Sequence, residues 1–97
     1  MKNILFTLAL LISFVSFGQT AEEYYNRGFS KGELKDYNGA ISDYTKAIEL
    51  DPNDADAYYN RAVSKYYIND LKGACEDAKK SASLGNPFPK MIEAACN

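Results

Sequence analysis

The sequence predicts an all-α protein that consists of two helix-turn-helix repeats and a short C-terminal helix. Three observations support this prediction: a 34-residue internal repeat, apolar side chains at helical spacing, and Asp, Gly and Pro residues at the expected helix ends. When residues 21–54 are aligned with residues 55–88, 13 of the 34 positions are identical. The segment Tyr-Tyr-Asn-Arg recurs without a gap, at 24–27 and at 58–61.

Residues 1–18 precede the repeats and have the features of a secretory signal peptide. An apolar run follows Lys2, and the small residues Ser16 and Gly18 precede a cleavage site before Gln19. We expect cleavage there, action in the periplasm or outside the cell, and no stable membrane insertion afterwards. A retained anchor is the alternative, but the apolar stretch has 14 residues, fewer than the roughly 20 that span a bilayer.

The apolar spacing predicts four helices, at about 22–34, 38–50, 56–68 and 72–84. They pair into two units, residues 21–54 and 55–88. Between the units lies Asp51-Pro52-Asn53-Asp54, in which Pro52 ends one helix and Asp54 is a candidate N-cap for the next.

The last residues, 89–97, predict a fifth, shorter helix that caps the open apolar face of the second repeat. Gly85 suits the end of the helix before it, and Pro89 suits the first position of the new one. Met91, Ile92 and Ala95 are the residues expected to cover the open face.

Composition excludes several classes of function. Residues 19–97 contain ten basic and thirteen acidic residues, a net charge of −3, so a nucleic-acid partner is not expected. The chain has no His, no phosphate-binding glycine loop and no clustered metal ligands. We therefore predict no enzyme activity, no small-molecule cofactor and no metal site.

Cys75 and Cys96 are the only cysteines, and export would place them in an oxidising compartment. If the helices before and after Gly85 are antiparallel, the two side chains reach similar heights along them. A Cys75–Cys96 disulfide would close a loop of about 20 residues and stabilise the fold by about 3 kcal/mol. Free thiols and a redox-active pair are the alternatives.

The repeat resembles the tetratricopeptide repeat, whose period is 34 residues. The resemblance rests on eight signature positions per repeat. In the first repeat they hold Tyr24, Arg27, Gly28, Lys31, Ala40, Tyr44, Ala47 and Pro52; in the second they hold Tyr58, Arg61, Ala62, Lys65, Ala74, Ala78, Ser81 and Asn86. Arg27 and Lys31 depart from the family, which prefers Leu and an aromatic residue there. The small residues are expected where helices cross closely, and the arginines are expected to pair with Glu23 or other acids at the surface.

The resemblance implies that the first helix of each repeat lines a groove that holds a peptide or helix of another protein. Family positions that face this groove fall on Glu22, Tyr25, Phe29, Gly32, Glu33, Asp56, Tyr59, Val63, Tyr66 and Tyr67, and Asn26 and Asn60 would bond a ligand's backbone. Packing of the tyrosines against one another is the alternative.

The function expected from these observations is protein–protein interaction outside the cytoplasm, as an adaptor or assembly factor. One family subtype binds C-terminal carboxylates through Lys and Asn, but Tyr25 and Phe29 occupy those positions, so that specificity is not expected. The alternative function is a small structural or self-associating helical protein. Self-association would use the uncapped start of the first repeat.

Overall fold

The computed structural model describes residues 19–97, and the predicted signal peptide at 1–18 lies outside the described residues. Within them the chain is all-α, without strands. The helices are α1 (Ala21–Glu33), α2 (Tyr37–Leu50), α3 (Ala55–Tyr67), α4 (Leu71–Ser83) and α5 (Lys90–Glu93), and α5 continues into a 3-10 turn at Ala94–Cys96. This confirms the predicted fold class, and the two helix pairs lie inside the predicted units 21–54 and 55–88.

Short polar side chains begin the four long helices. Thr20 accepts a hydrogen bond from the backbone N–H of Glu23 and caps α1, and Asp54 accepts from Asp56 and Ala57 and caps α3 as expected. Asp36 and Asp70 cap α2 and α4 through identical 3.0 Å bonds from the N–H group three residues later. Such caps satisfy amide groups that would otherwise lack a helical partner.

The turns within the two repeats are the same structure. Lys35 and Asn69, which are 34 positions apart, have φ angles of 63° and 67°. Their left-handed backbone lets the N–H of Asp36 and of Asp70 bond back to carbonyls five residues earlier, at 2.8 Å and 2.9 Å. Each Asp therefore helps to end one helix through its backbone N–H and caps the N-terminus of the next helix through its side chain. This reversal makes the paired helices antiparallel.

Small residues let the helices pack closely. α1 packs on α2, α3 packs on α4, and α2 joins the two repeats by packing on α3. Six core alanines have no exposed surface: Ala40, Ala47, Ala57, Ala62, Ala74 and Ala78. At Gly28, a Cβ atom would lie 3.0 Å from the ring of Tyr44 and 3.3 Å from the carbonyl oxygen of Ala40. At this crossing the first repeat packs the ring of Tyr44 against Gly28. The equivalent positions of the second repeat hold two small residues, Ala78 and Ala62.

This contact predicts opposite effects for two glycine substitutions in α1. Gly28→Val overpacks the crossing with α2 and should lower the free energy of unfolding by about 1–3 kcal/mol. Gly32→Ala has room, because the nearest atom to its Cβ would be 4.0 Å away, and should raise it by about 0.5–1 kcal/mol. Urea unfolding followed by circular dichroism measures both. Equal effects of the two changes would contradict the close crossing at Gly28.

The C-terminal segment covers the second repeat. Ile92 is fully buried in a cluster with Ala62, Ala74 and Ala78, against which Phe88 and Ala95 also pack. Ile92 and Ala95 therefore occupy the positions expected of them.

Two expectations for this segment were wrong. Met91 is exposed, because adjacent side chains on a helix point about 100° apart and Ile92 takes the place against the core. Pro89 takes the N-cap position, with extended backbone (φ −67°, ψ 116°), and the helix begins one residue later at Lys90.

A disulfide joins Cys75 in α4 to Cys96 in the 3-10 turn. The Cα atoms of the two residues are 5.3 Å apart, within the usual range for a bridged pair. The bond lies beside the buried Ile92 cluster, where Cys96 is one of the residues packed against the core. It therefore anchors the end of the segment that covers the second repeat.

Candidate functional site

A cleft separates α1 from α3, and we call it the inter-repeat cleft. It has a volume of about 310 Å³. Its lining consists of Phe29, Gly32, Glu33, Lys35, Tyr37, Tyr44, Asn60, Val63, Ser64 and Tyr67. Tyr44 belongs to the buried core, and burial raises the pKa of its hydroxyl well above the ordinary value. The cleft thus combines a rigid aromatic base with side chains that reach solvent.

Two aromatic side chains of the cleft are about half exposed: Phe29 at 48% and Tyr67 at 53%. Tyr67 stacks on Tyr37, with ring centroids 4.8 Å apart and planes 15° from parallel. This stacking fixes the ring of Tyr67 without covering its outer face. Exposed aromatic rings held in place lose little conformational freedom when a partner packs on them.

Tyr25 is held inside the protein more firmly than the sequence suggested. Its ring packs against Tyr44 at a centroid distance of 5.6 Å, and its hydroxyl accepts a 2.8 Å hydrogen bond from the side-chain amide of Asn60. Burial raises the pKa of the Tyr25 hydroxyl, and the carboxylates of Asp56 and Asp54 raise it further. The same amide of Asn60 also donates to the Asp56 carbonyl. Tyr25 and Asn60 therefore tie α1 to α3.

Other predicted groove residues lie outside the cleft. Tyr66 borders a recess of about 540 Å³ between α3 and α5, which Tyr67 of the cleft, Leu71, Met91 and Ala94 also line. Asp56 and Tyr59 border a third recess of about 230 Å³ with Asn86 and Pro87. Glu22 and Asn26 are exposed on α1 and line none of these three recesses. Most of the predicted groove residues are therefore divided among three recesses.

Each repeat also contains an ion-pair cluster. Arg27 was expected to pair with Glu23 or another nearby acid at the surface, and its partner is the buried Asp43 in α2. The guanidinium donates to this carboxylate at 2.9 Å from Nε and 2.8 Å from Nη2. Lys31 approaches the same carboxylate at 3.0 Å. Hydrogen bonds from Arg27 lower the pKa of the Asp43 carboxyl below its ordinary value. The Arg27 guanidinium also lies 5.3 Å from the centre of the Tyr24 ring.

The second repeat has the same cluster in a more buried form. Arg61 donates two 2.7 Å bonds to Asp77, and Lys65 lies 2.9 Å from the same carboxylate. A third donor of Arg61, Nη1, reaches Thr45 in α2 at 3.2 Å. The Arg61 side chain is 16% exposed, whereas the Arg27 side chain is 47% exposed. The difference arises because the first repeat covers one side of the second.

A signal for these clusters was present in the sequence. The four residue types recur at matching positions of the repeat: Tyr24/Tyr58, Arg27/Arg61, Lys31/Lys65 and Asp43/Asp77. Their joint recurrence indicated a shared role. The choice of Asp partner needed the crossing geometry of α1 and α2. The clusters explain why cations replace the apolar side chains that the second and fourth signature positions would otherwise hold. In each repeat a buried carboxylate on the second helix bonds both cations.

Two features are absent from the part of the chain that the structure describes. Within residues 19–97, no group of three or more potential metal-ligating residues occurs. The helices from α1 to α5 also lack the combined length and apolar character that a bilayer span requires.

A family model described as a TPR repeat matches residues 32–67. The matched segment contains α2 and α3 with the connector between them, and it begins in the last turn of α1. No curated protein is significantly similar to the chain. The match includes Glu33, Val63 and Tyr67 of the inter-repeat cleft, together with its base, Tyr44.

Proposed function

Because the chain is a tetratricopeptide-repeat protein, we propose that it is an interaction module, an adaptor or assembly factor that holds a segment of another protein in the inter-repeat cleft. Repeats of this family are typically non-catalytic interaction modules. The observation that carries the proposal is the half-exposed pair Phe29 and Tyr67, at 48% and 53%, bordering a cleft whose base is buried. Aromatic side chains in such positions are the usual anchors of protein interfaces.

Contacts within the protein occupy some of the side chains that were predicted to bind a partner. Tyr25 is engaged by Tyr44 and Asn60, and Tyr66 packs against the core cluster around Ile92. These two tyrosines act mainly in packing, against Tyr44 and the Ile92 cluster rather than against each other. The surface offered to a partner therefore centres on Phe29, with Val63 and Tyr67 across the cleft. A short surface of this kind suits a peptide segment better than a large globular partner.

We further propose that the protein acts outside the cytoplasm, in the periplasm or after secretion. The support is the signal-like sequence of residues 1–18 and the Cys75–Cys96 disulfide, since such bonds persist mainly in oxidising compartments. N-terminal sequencing of the mature protein, with Gln19 expected first, tests this part of the proposal.

Phe29→Ala tests the binding surface. We expect it to reduce partner capture in a pull-down about fivefold or more, because removal of a central aromatic anchor commonly costs over 1 kcal/mol of binding. The fold should be retained, since Phe29 is half exposed and is not a member of the buried core. Circular dichroism checks helicity, and mass spectrometry compares the proteins captured by the two forms.

Leu50→Ala is the matched control for this experiment. Leu50 is also an exposed apolar residue, at the end of α2, and it does not line the cleft. It should leave capture unchanged. If Phe29→Ala captures the same proteins at wild-type levels, or if both variants lose them equally, the cleft is not the binding surface.

Self-association through the start of the first repeat is the other candidate, and the exposed face there does not favour it. Ser64 is buried by the first repeat, while the equivalent Ser30 is exposed. On that exposed face, Glu23 replaces the buried Ala57. A second copy that packed on this face, as the first repeat packs on the second, would bury the Glu23 carboxylate. Burying an unpaired charge is costly.

A further inference from the structure

The surface of α1 and α3 is polarised along the helices. Carboxylates lie at the start of α1 and α3, outside the lining of the cleft, where Glu22 and Asp56 occupy equivalent exposed positions. The Asp56 carboxylate accepts a hydrogen bond from the neutral side-chain amide of Asn86, which leaves its charge in place. Apolar side chains lie two turns further on, where Phe29 and Val63 are equivalent and line the inter-repeat cleft. A segment lying along the helices would therefore meet negative charge at one end and an apolar surface at the other.

The cations of the repeats do not neutralise the acidic end. Arg27 and Arg61 are bonded to Asp43 and Asp77, which belong to the second helix of each repeat. Lys35 borders the cleft, but it lies with Glu33 at the far, apolar end, which is therefore close to neutral. At the acidic end, the charged groups that act on Tyr25 are the carboxylates of Asp56 and Asp54.

The distance between the two ends sets a spacing for the ligand. Seven residues separate Asp56 from Val63 along α3, and the same number separates Glu22 from Phe29 along α1. At 1.5 Å per helical residue this is about 10 Å. An extended chain advances about 3.3 Å per residue, so about three of its residues cover the same length. The cleft volume of about 310 Å³ suits inserted side chains better than a helix about 10–12 Å across.

We propose that the segment bound in the cleft is extended and carries an apolar or aromatic side chain about three residues from an Arg or Lys. The apolar side chain enters between Phe29 and Val63, and the basic side chain lies at the helix starts near Glu22 and Asp56. This inference rests on the proposed function, since it describes the ligand of the same surface. Charge complementarity and the axial spacing carry it.

Selection from a displayed library of random linear peptides, with the purified full chain as bait, tests the inference. The enriched peptides should share an apolar or aromatic residue three positions from Arg or Lys. A synthetic peptide with that consensus should bind about three- to fivefold more tightly than its version with Gln in place of the basic residue, the effect of a solvent-exposed charge pair. Added salt should reduce this difference.

Matched variants locate the charge effect. Glu22→Gln with Asp56→Asn should abolish the preference for the basic peptide while retaining binding through the apolar residue. Glu49→Gln with Glu76→Gln makes the same change of net charge on α2 and α4, at exposed positions, and should leave the preference intact. Equal effects of the two double variants would overturn the inference.

The outcomes separate the inference from the proposed function. Enriched peptides whose binding needs Phe29, but which lack a basic residue or carry it seven positions away as in a helix, would overturn the inference and leave the interaction function in place. If the binding of no enriched peptide is weakened by Phe29→Ala, the cleft is not the binding surface, and both proposals are wrong.

Discussion

Replacing Cys75 and Cys96 with serine is expected to lower the free energy of unfolding by about 3 kcal/mol. The disulfide joins residues 21 positions apart, and closing a loop of that size restricts the unfolded chain by about this amount. For a domain of this length the melting temperature should fall by roughly 12–24 °C. This is a large share of the stability of a two-repeat protein, since small single domains have little in reserve.

The loss should begin at the C-terminal segment. α5 has only four residues, Lys90–Glu93, and a helix that short does not form without tertiary support. Without the bond to Cys75, Ile92 should leave its site against Ala62, Ala74 and Ala78 in part of the population. Amide exchange should therefore rise first in residues 88–97, before it rises in α1 and α2.

Reduction of the wild-type protein is the control for this prediction. Wild-type protein in reducing agent and the Cys75→Ser, Cys96→Ser variant should melt at similar temperatures, both below the oxidised form. A variant as stable as the oxidised wild type would contradict a stabilising role for the bond.

Asp77→Ala is expected to destabilise the protein by about 3 kcal/mol, the second large effect. The Asp77 carboxylate is buried and bonds Arg61 and Lys65. Their side chains are only 16% and 18% exposed, so removing the carboxylate leaves two poorly solvated cations without their partner. Removing one member of a buried ion pair typically has a cost of this size. Chemical denaturation followed by circular dichroism measures the loss.

Asp43→Ala is the matched substitution in the first repeat and should cost less. Arg27 and Lys31 make the same bonds to Asp43, but their side chains are 47% and 34% exposed, so water can solvate the released charges. Asp77→Asn should fall between wild type and Asp77→Ala, because an amide retains one acceptor oxygen. A larger loss for Asp43→Ala than for Asp77→Ala would show that burial of the cations does not set the cost.

These ion pairs also matter for the proposed interaction. Arg61 bonds Asp77 in α4 and Thr45 in α2, so it fixes α3 relative to both neighbouring helices. α3 carries Val63 and Tyr67, which form one wall of the inter-repeat cleft. Loss of Asp77 is therefore expected to disturb that wall as well as the stability of the fold.

The sequence determined the all-α fold, the helix pairs and most helix ends, because these depend on residues close together in the chain. Asp54 caps α3 as expected, and Gly85 takes a positive φ of 112° at the end of α4. The 34-residue period predicted both repeats, since each repeat uses the same local turn. The deep placement of Ile92 also followed from its position in the final amphipathic segment.

Only the tertiary structure decided which distant side chains meet. Tyr25 and Asn60 are 35 positions apart, and their hydrogen bond turns two predicted ligand contacts into a link between repeats. Arg27 bonds Asp43 rather than the nearer Glu23, since the crossing of α1 over α2 brings that carboxylate to the guanidinium. Local spacing specifies which face of a helix a residue occupies. The partner on the opposing helix depends on the crossing angle and distance, which the packing of the whole domain sets.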